Sequence, residues 1–351
     1  MNFKEFEEMI NGEAREISIN EDVILDDNEV YKKGIEINRK GLIINGNGHT
    51  IDANNLGKAF NIQADNITLK DINLKQCISH KGNGGGAIEN WGKHLSIKHC
   101  YFSNNQATNN SGGGAIYSFE DIELEDCIFE NNTSIESDGG AIFLDTIGDY
   151  PIRAVLRNCE FKNNRADGQF KDFGSNAGAV YNKKSYLFLF DCNFEDNGVI
   201  SAYMSNSESI LNEEGLIIMD NCCFKTRKSH SIFNRGVLIL DNSRFYHDFK
   251  SGLEIRGSIF NRGSVGLLYD ENNLYNAELN GERLNISNIN DLINEYKTMY
   301  DKDTGEETVI YKKNSIKPVN PDDYRDCEYL KSLSKNNIDM ISCEDYEDSD
   351  C

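Results

Sequence analysis

Apolar and polar residues alternate with period two in short runs such as Leu95-Ser96-Ile97 and Ile122-Glu123-Leu124. That alternation places the apolar side chains on one face of a very short strand. A polar pair such as Lys98-His99 follows, and then Cys-x-Phe-x-x-Asn. Cys and Phe point inward again after the bend, and the asparagine ends its strand at a turn that tolerates left-handed backbone. Gly-Ala-Ile or a near variant stands before each run. The unit returns about every 27 to 33 residues. Gly86-Ala87-Ile88 leads to Cys100, Phe102 and Asn105, and Gly114-Ala115-Ile116 to Cys127, Phe129 and Asn132. Gly140-Ala141-Ile142 leads to Cys159, Phe161 and Asn164, and Gly178-Ala179-Val180 to Cys192, Phe194 and Asn197. Weaker copies extend the series both ways, with Ile72 and Leu74 in the Cys and Phe places early on, and Ser231-Ile232-Phe233-Asn234-Arg235-Gly236 later.

Strands this short, joined by bends rather than hairpins, predict coils that stack so that each strand pairs in parallel with its counterpart ~4.8 Å along the axis. The expected class is all-β: a right-handed parallel β-helix, or solenoid, of about nine coils over residues 15–275. An N-terminal amphipathic helix over 1–14 is expected to cap it, because Phe3, Phe6, Met9 and Ile10 recur at helical spacing. Residues 276–351 are expected to form a small acidic α/β appendage and tail. In it, Ile289 to Tyr300 is read as a helix. Asp301 to Glu307 is read as a hairpin turn between Thr298-Met299-Tyr300 and Val309-Ile310-Tyr311 rather than a calcium loop. The acidic end itself, Glu344 to Cys351, is expected to be a solvated tail.

The pair Gly-Gly-Ala-Ile and Phe-x-x-Asn resembles the repeats of chlamydial polymorphic outer-membrane proteins. The opening, Leu42 to Asp52 followed by Phe60-Asn61-Ile62, resembles methanogen adhesin-like proteins. The resemblance covers about residues 15 to 270. What it implies is a right-handed β-helix shaft displayed at the cell surface for adhesion.

The formal net charge of −22 argues against nucleic-acid or anionic-membrane partners, which reward clustered Lys and Arg. The N-terminus has neither the basic nor the apolar stretch of a secretory signal, and no segment reaches the ~20 apolar residues of a membrane span. The sequence therefore predicts a cytoplasmic protein without a transmembrane segment, with the cell surface as the alternative that the resemblance implies. Cys100, Cys127, Cys159, Cys192 and Cys222 would stack as free thiols, since side chains ~4.8 Å apart do not reach the ~3.8 Å Cβ separation of a disulfide. Cys-x-x-Cys spacing is absent, and no metal or cofactor is expected. The asparagine column Asn105, Asn132, Asn164 and Asn197 is expected to hydrogen-bond along the stack.

Two function classes remain. The first is a non-enzymatic, adhesin-like scaffold binding a protein or glycan through loops on one edge, because length varies mainly after the Asn turn. Arg165 to Ala177 carries Phe170 and Phe173, and Gly198 to Glu214 carries Tyr203. These three aromatics are the candidate ligand-binding residues, and no catalytic residue is assigned. The second is a polysaccharide lyase or glycoside hydrolase of the pectin-lyase-like β-helix fold, for which His49 and Asp52 would be the groups to test. It lacks the expected cluster of carboxylates on neighbouring coils, and Arg153 and Arg157 have no evident acidic partners.

Overall fold

The computed structural model describes residues 1–26, 31–79, 84–108, 112–148, 151–168, 176–201, 209–226 and 230–247. Beyond these it describes the strand segments 259–261, 264–268, 277–279, 282–284, 293–300, 307–311 and 317–319. One coil shows how the repeat is used. Leu95–Lys98, Tyr101–Ser103, Gln106–Thr108 and Ile116–Ser118 are its strands. They pair in parallel with the next coil through Leu95↔Ile122, Phe102↔Phe129, Gln106↔Thr133 and Ile116↔Ile142. Stacking coils makes three eleven-stranded sheets, called I, II and III in chain order, and a five-stranded sheet IV between II and III. The chain is a parallel β-helix, and its interior is one continuous apolar core running from Phe3 to Ile259.

Sheets II and III each stack ten parallel strands among the described residues before an antiparallel strand ends them. These ten compare with the expected nine or so; the strands of the opening coil, Glu16–Ser18, Val23–Ile24 and Ile35–Ile37, carry little of the repeat signature. The N-terminal helix α1 spans Phe3–Ile10, and Asn2 and Glu5 cap it reciprocally. Phe3, Phe6 and Ile10 are buried, whereas Met9 is exposed.

The bend before each Cys is left-handed, at His99, Asp126, Asn158, Asp191 and Asn221. At the following turn the left-handed residue is Asn104, Asn131, Asn163 or Asp196, one place before the repeated asparagine. The repeated asparagine thus sits at the turn after its strand but is not itself left-handed; it points inward and forms the expected ladder. Asn105 Nδ2 donates to Asn132 Oδ1 at 2.9 Å, Asn132 to Asn164 at 2.9 Å, and Asn164 to Asn197 at 2.9 Å. Each amide also closes the backbone of the bend, as where Asn132 Nδ2 reaches the Phe102 carbonyl at 3.0 Å. Beside this ladder the rings of Phe102, Phe129, Phe161, Phe194, Phe224 and Phe245 stack face to face. Cys100, Cys127, Cys159, Cys192 and Cys222 are buried free thiols; burial pushes those of Cys159 and Cys222 well up.

Two further expectations are corrected. Ile293–Tyr300 is a strand, not part of a helix. Its first residues pair with Ile259–Asn261, and the rest pair antiparallel with Glu307–Tyr311, for instance Thr298↔Val309. Ile, Tyr and Thr favour the pleated edge offered by sheet III, so tertiary pairing overrides the helical reading. The hairpin holds, and Asp301 to Glu306 lies outside the described residues. Of the expected α/β appendage, then, every described element is a strand. Nor are 165–177 and 198–214 loops throughout: Arg165–Gly168 pairs with Gly198–Ser201 in sheet IV, and Ile210–Glu213 belongs to sheet III.

Candidate functional site

The central residue of each sheet III strand points away from the core, and so does the residue two places on. Parallel register aligns these positions into two columns. Glu89, Tyr117, Phe143, Tyr181, Leu211 and Phe233 form the first. Trp91, Phe119, Asp145, Lys183, Glu213 and Arg235 follow two residues later and form the second. Repeats that look alike inward thus differ outward, which is where a repeat protein carries what is specific to it.

The lower half of the face is aromatic. Trp91 stacks on Phe119 with ring centroids 4.1 Å apart, Phe119 meets Tyr117 at 4.2 Å, and Tyr117, Phe143 and Tyr181 follow at 4.7 and 4.6 Å. The upper half alternates in charge. Asp145 accepts from the Tyr117 hydroxyl at 3.1 Å and pairs with Lys183 at 3.0 Å. Glu213 accepts from the Tyr181 hydroxyl and pairs with Arg235 at 3.2 Å, while Arg235 also lies over the Phe233 ring. Burial, followed by the neighbouring carboxylates, pushes both phenols up, so they act as donors.

Two more groups border the face. Asp138 accepts from the Asn176 backbone at 2.7 Å and from its amide at 3.0 Å, yet burial pushes its carboxyl up to about 6, with Glu213 adding to the rise. Lys58 stands where later coils have Gly86, Gly114 and Gly140. Fully buried, it pairs with Glu89 at 2.6 Å and donates to the Gly84 carbonyl. Burial lowers its pKa against the pull of Glu89.

The coil corners are unequal. From sheet I to II, two residues separate Lys98 from Tyr101, Glu125 from Ile128, Arg157 from Glu160 and Phe190 from Asn193. From sheet IV to III, six residues separate Ile135 from Ile142, eight separate Ser201 from Ile210, and eleven separate Gly168 from Val180. Phe170, Phe173 and Tyr203 belong to the last two connections and lie outside the described residues. The structure describes the ends of those connections, at Asn176 and at Ser209 ahead of Ile210, next to Tyr181 and Leu211.

The catalytic alternative does not find its residues assembled. His49 faces Asp22 at 3.5 Å and Asp52 pairs with Lys75 at 3.0 Å, both on early coils. Arg157 does have an acidic neighbour, Glu123 at 3.9 Å on the preceding coil, which corrects the reading that it lacks one. Among the described residues no group of three or more His, Cys, Asp and Glu is placed to hold a metal ion, and no helix is long and apolar enough to cross a membrane.

The sequence reading missed Tyr117, Asp138, Asp145, Tyr181, Lys183 and Glu213 as a group. Apart from Asp138, which lies in the connection before its strand, their signal was present only as the outward positions of the sheet III strands.

Two segments, residues 99–118 and 126–145, match the Chlamydia polymorphic membrane protein repeat. Each begins at the left-handed bend into sheet II and reaches the end of the next sheet III strand, so the matched unit contains the inward Cys, Phe and Asn and the outward Tyr117 or Phe143. No curated protein and no solved structure matches the chain.

Proposed function

We propose that the protein is a non-enzymatic, adhesin-like scaffold whose β-helix presents a protein- or glycan-binding edge at the sheet IV to III corners. The contrast between the corners carries this reading. Two-residue bends are kept where sheet I meets II, whereas the connections entering sheet III from sheet IV run from six to eleven residues, and one connection leaving it, between Leu144 and Arg153, has eight. Long connections bordering one face of a solenoid are where such proteins hold their partners. The two matched repeats come from a family described as membrane proteins, which supports a place at the cell surface.

Replacing 169–175 and 202–208 by short Gly-Ser connections tests it. Capture of immobilised proteins or of arrayed glycans should disappear while the melting temperature stays unchanged; undiminished capture would refute the edge as the binding site.

One observation favours the enzymatic reading, a glycoside hydrolase. Asp138, protonated below about pH 6, borders a face that also holds Asp145 and Glu213, and glycoside hydrolysis uses a protonated carboxyl together with a second carboxylate. That reading requires release of reducing sugar from a polysaccharide, abolished by Asp138→Asn. A broad panel left uncut by the native protein removes it.

A further inference from the structure

A tryptophan contributes most to a fold when its large apolar body is buried, yet the chain's single tryptophan, Trp91, is 39% exposed. It is nonetheless held in place. Its backbone keeps the coil register, donating to the Ile62 carbonyl at 2.8 Å, and Phe119 on the coil above donates likewise to the Asn90 carbonyl at 3.0 Å. The indole stacks under the Phe119 ring, with centroids 4.1 Å apart and planes inclined by 25°. That stack covers one face of the indole. The other face is turned toward the coil below, where Gln63 holds the same column position.

Gln63 is exposed, and its amide is drawn sideways rather than up against the ring: Nε2 donates to Asn61 Oδ1 in the first column at 2.7 Å. That bond leaves the amide its carbonyl oxygen as an acceptor and a second N–H as a donor. Charge around the pair is already matched. Glu89 pairs with Lys58 at 2.6 Å, and Asp145 pairs with Lys183 at 3.0 Å. Asp65 accepts from the Lys93 backbone at 3.0 Å and faces the Lys40 ammonium at 3.5 Å. Glu120, whose carboxyl burial pushes up, has Lys93 beside it. These carboxylates each face a lysine, so the corner favours an uncharged ligand.

We infer that the free face of Trp91 and the amide of Gln63 form a subsite for one pyranose ring of a neutral glycan. A pyranose offers a flat C–H face that an indole can cover and a rim of hydroxyls that each donate and accept. One coil rise, about 4.8 Å, separates the strand positions of plate and amide, so a single ring meets both. Its C–H face lies on the indole, and two neighbouring hydroxyls meet the Gln63 oxygen and N–H. An apolar side chain would use the indole but leave the amide without a partner. An ammonium group would use the ring but find no unmatched carboxylate beside it. Asn61 is a positioning residue, since it fixes the amide and not the sugar. Trp91 follows its strand, where the chain leaves sheet III for sheet I, whereas 169–175 and 202–208 lie in connections that enter sheet III from sheet IV. The subsite therefore uses neither connection.

Because Trp91 is the only tryptophan, indole emission of the full-length chain reports this site alone. The probes are cellohexaose, laminarihexaose, maltohexaose, xylohexaose, mannohexaose and chitohexaose, each titrated to about 10 mM, which fills about nine-tenths of a site with a Kd of about 1 mM. At least one should change the emission saturably, and hexalysine and tetramethylammonium should not. Gln63→Ala should raise the Kd for that sugar about tenfold with the melting temperature unchanged, since the side chain is exposed. Trp91→Ala, followed by calorimetry, should bind none. Silence with every sugar, an equal response to either cation, or an unchanged Kd in Gln63→Ala overturns the inference. The chain with both connections shortened should keep the native Kd. Loss of the sugar in that variant would place it at the connections, which overturns this subsite and leaves the proposed edge standing.

Discussion

Asn132 shows how much one repeated residue does in this fold. Its Oδ1 accepts from the Asn105 backbone at 3.1 Å and from the Asn105 amide at 2.9 Å, while its own amide donates to the Phe102 carbonyl and to Asn164. Truncation to Ala leaves several buried polar groups unpaired, so Asn132→Ala should cost about 3–5 kcal/mol in denaturant unfolding. The neighbour Asn104 is exposed and left-handed, and Asn104→Gly should fall within about 0.5 kcal/mol of the native protein. Asp138 behaves oppositely to a paired carboxylate. Its folded pKa, about 6, lies above the unfolded value, so its stabilising contribution is complete below about pH 4 and is lost as pH rises through about 6. Asp138→Asn should therefore flatten the fall in stability between pH 4 and 7 and gain about 1–3 kcal/mol at pH 7.5. Parallel pH profiles for the two proteins would show that Asp138 does not titrate there. The asparagine column was legible because its spacing recurs in the sequence. Asp138 was not, because its pKa depends first on burial and then on Asn176 and Glu213, all of which only stacking of the coils brings about.

At the scale of the strand and its corners, close stacking decides which positions are free to vary. A Cβ on Gly114 would lie 2.0 Å from the Gly140 carbonyl oxygen and 2.7 Å from the Thr133 nitrogen, both backbone atoms of the next coil. Gly198 has nothing within 4 Å of the equivalent point. Gly114→Ala should accordingly cost at least about 2 kcal/mol, while Gly198→Ala should be neutral or gain a few tenths. Equal losses measured by thermal unfolding would contradict the packing account. Strand identity was legible wherever period two was clear, as in Leu95–Lys98. It failed at Ile293–Tyr300, where the open edge of sheet III, invisible to a local pattern, recruits the segment. The outward columns escaped for a related reason. Eight residues intervene between Leu144 and Arg153 but two between Lys183 and Tyr186, so no constant sequence period links Asp145 to Lys183, although they form an ion pair.

For the whole molecule, a stack of parallel strands raises the problem of its ends, because an open coil offers both unpaired backbone and exposed core to another copy. At the upper end antiparallel strands terminate sheets II and III. At the lower end α1 does the work. Phe6 meets Phe60 at 6.0 Å, Phe3 meets Tyr31 at 5.4 Å, and Asn2 bridges in parallel to Ile24, so the helix covers the opening and occupies part of the strand edge. Removing residues 2–12 uncovers Ile17, Val23, Ile35 and Ile37, which are buried in the intact chain. The expected consequence is end-to-end association rather than loss of the coils, since each coil depends chiefly on its neighbours. The net charge of −22 opposes the meeting of two copies at low ionic strength, and salt screens that repulsion. Light scattering on the shortened chain should thus show mass rising with both protein and salt concentration, while the full chain stays constant. A shortened chain that keeps one mass throughout would mean that the capping helix serves only to pack the first coil.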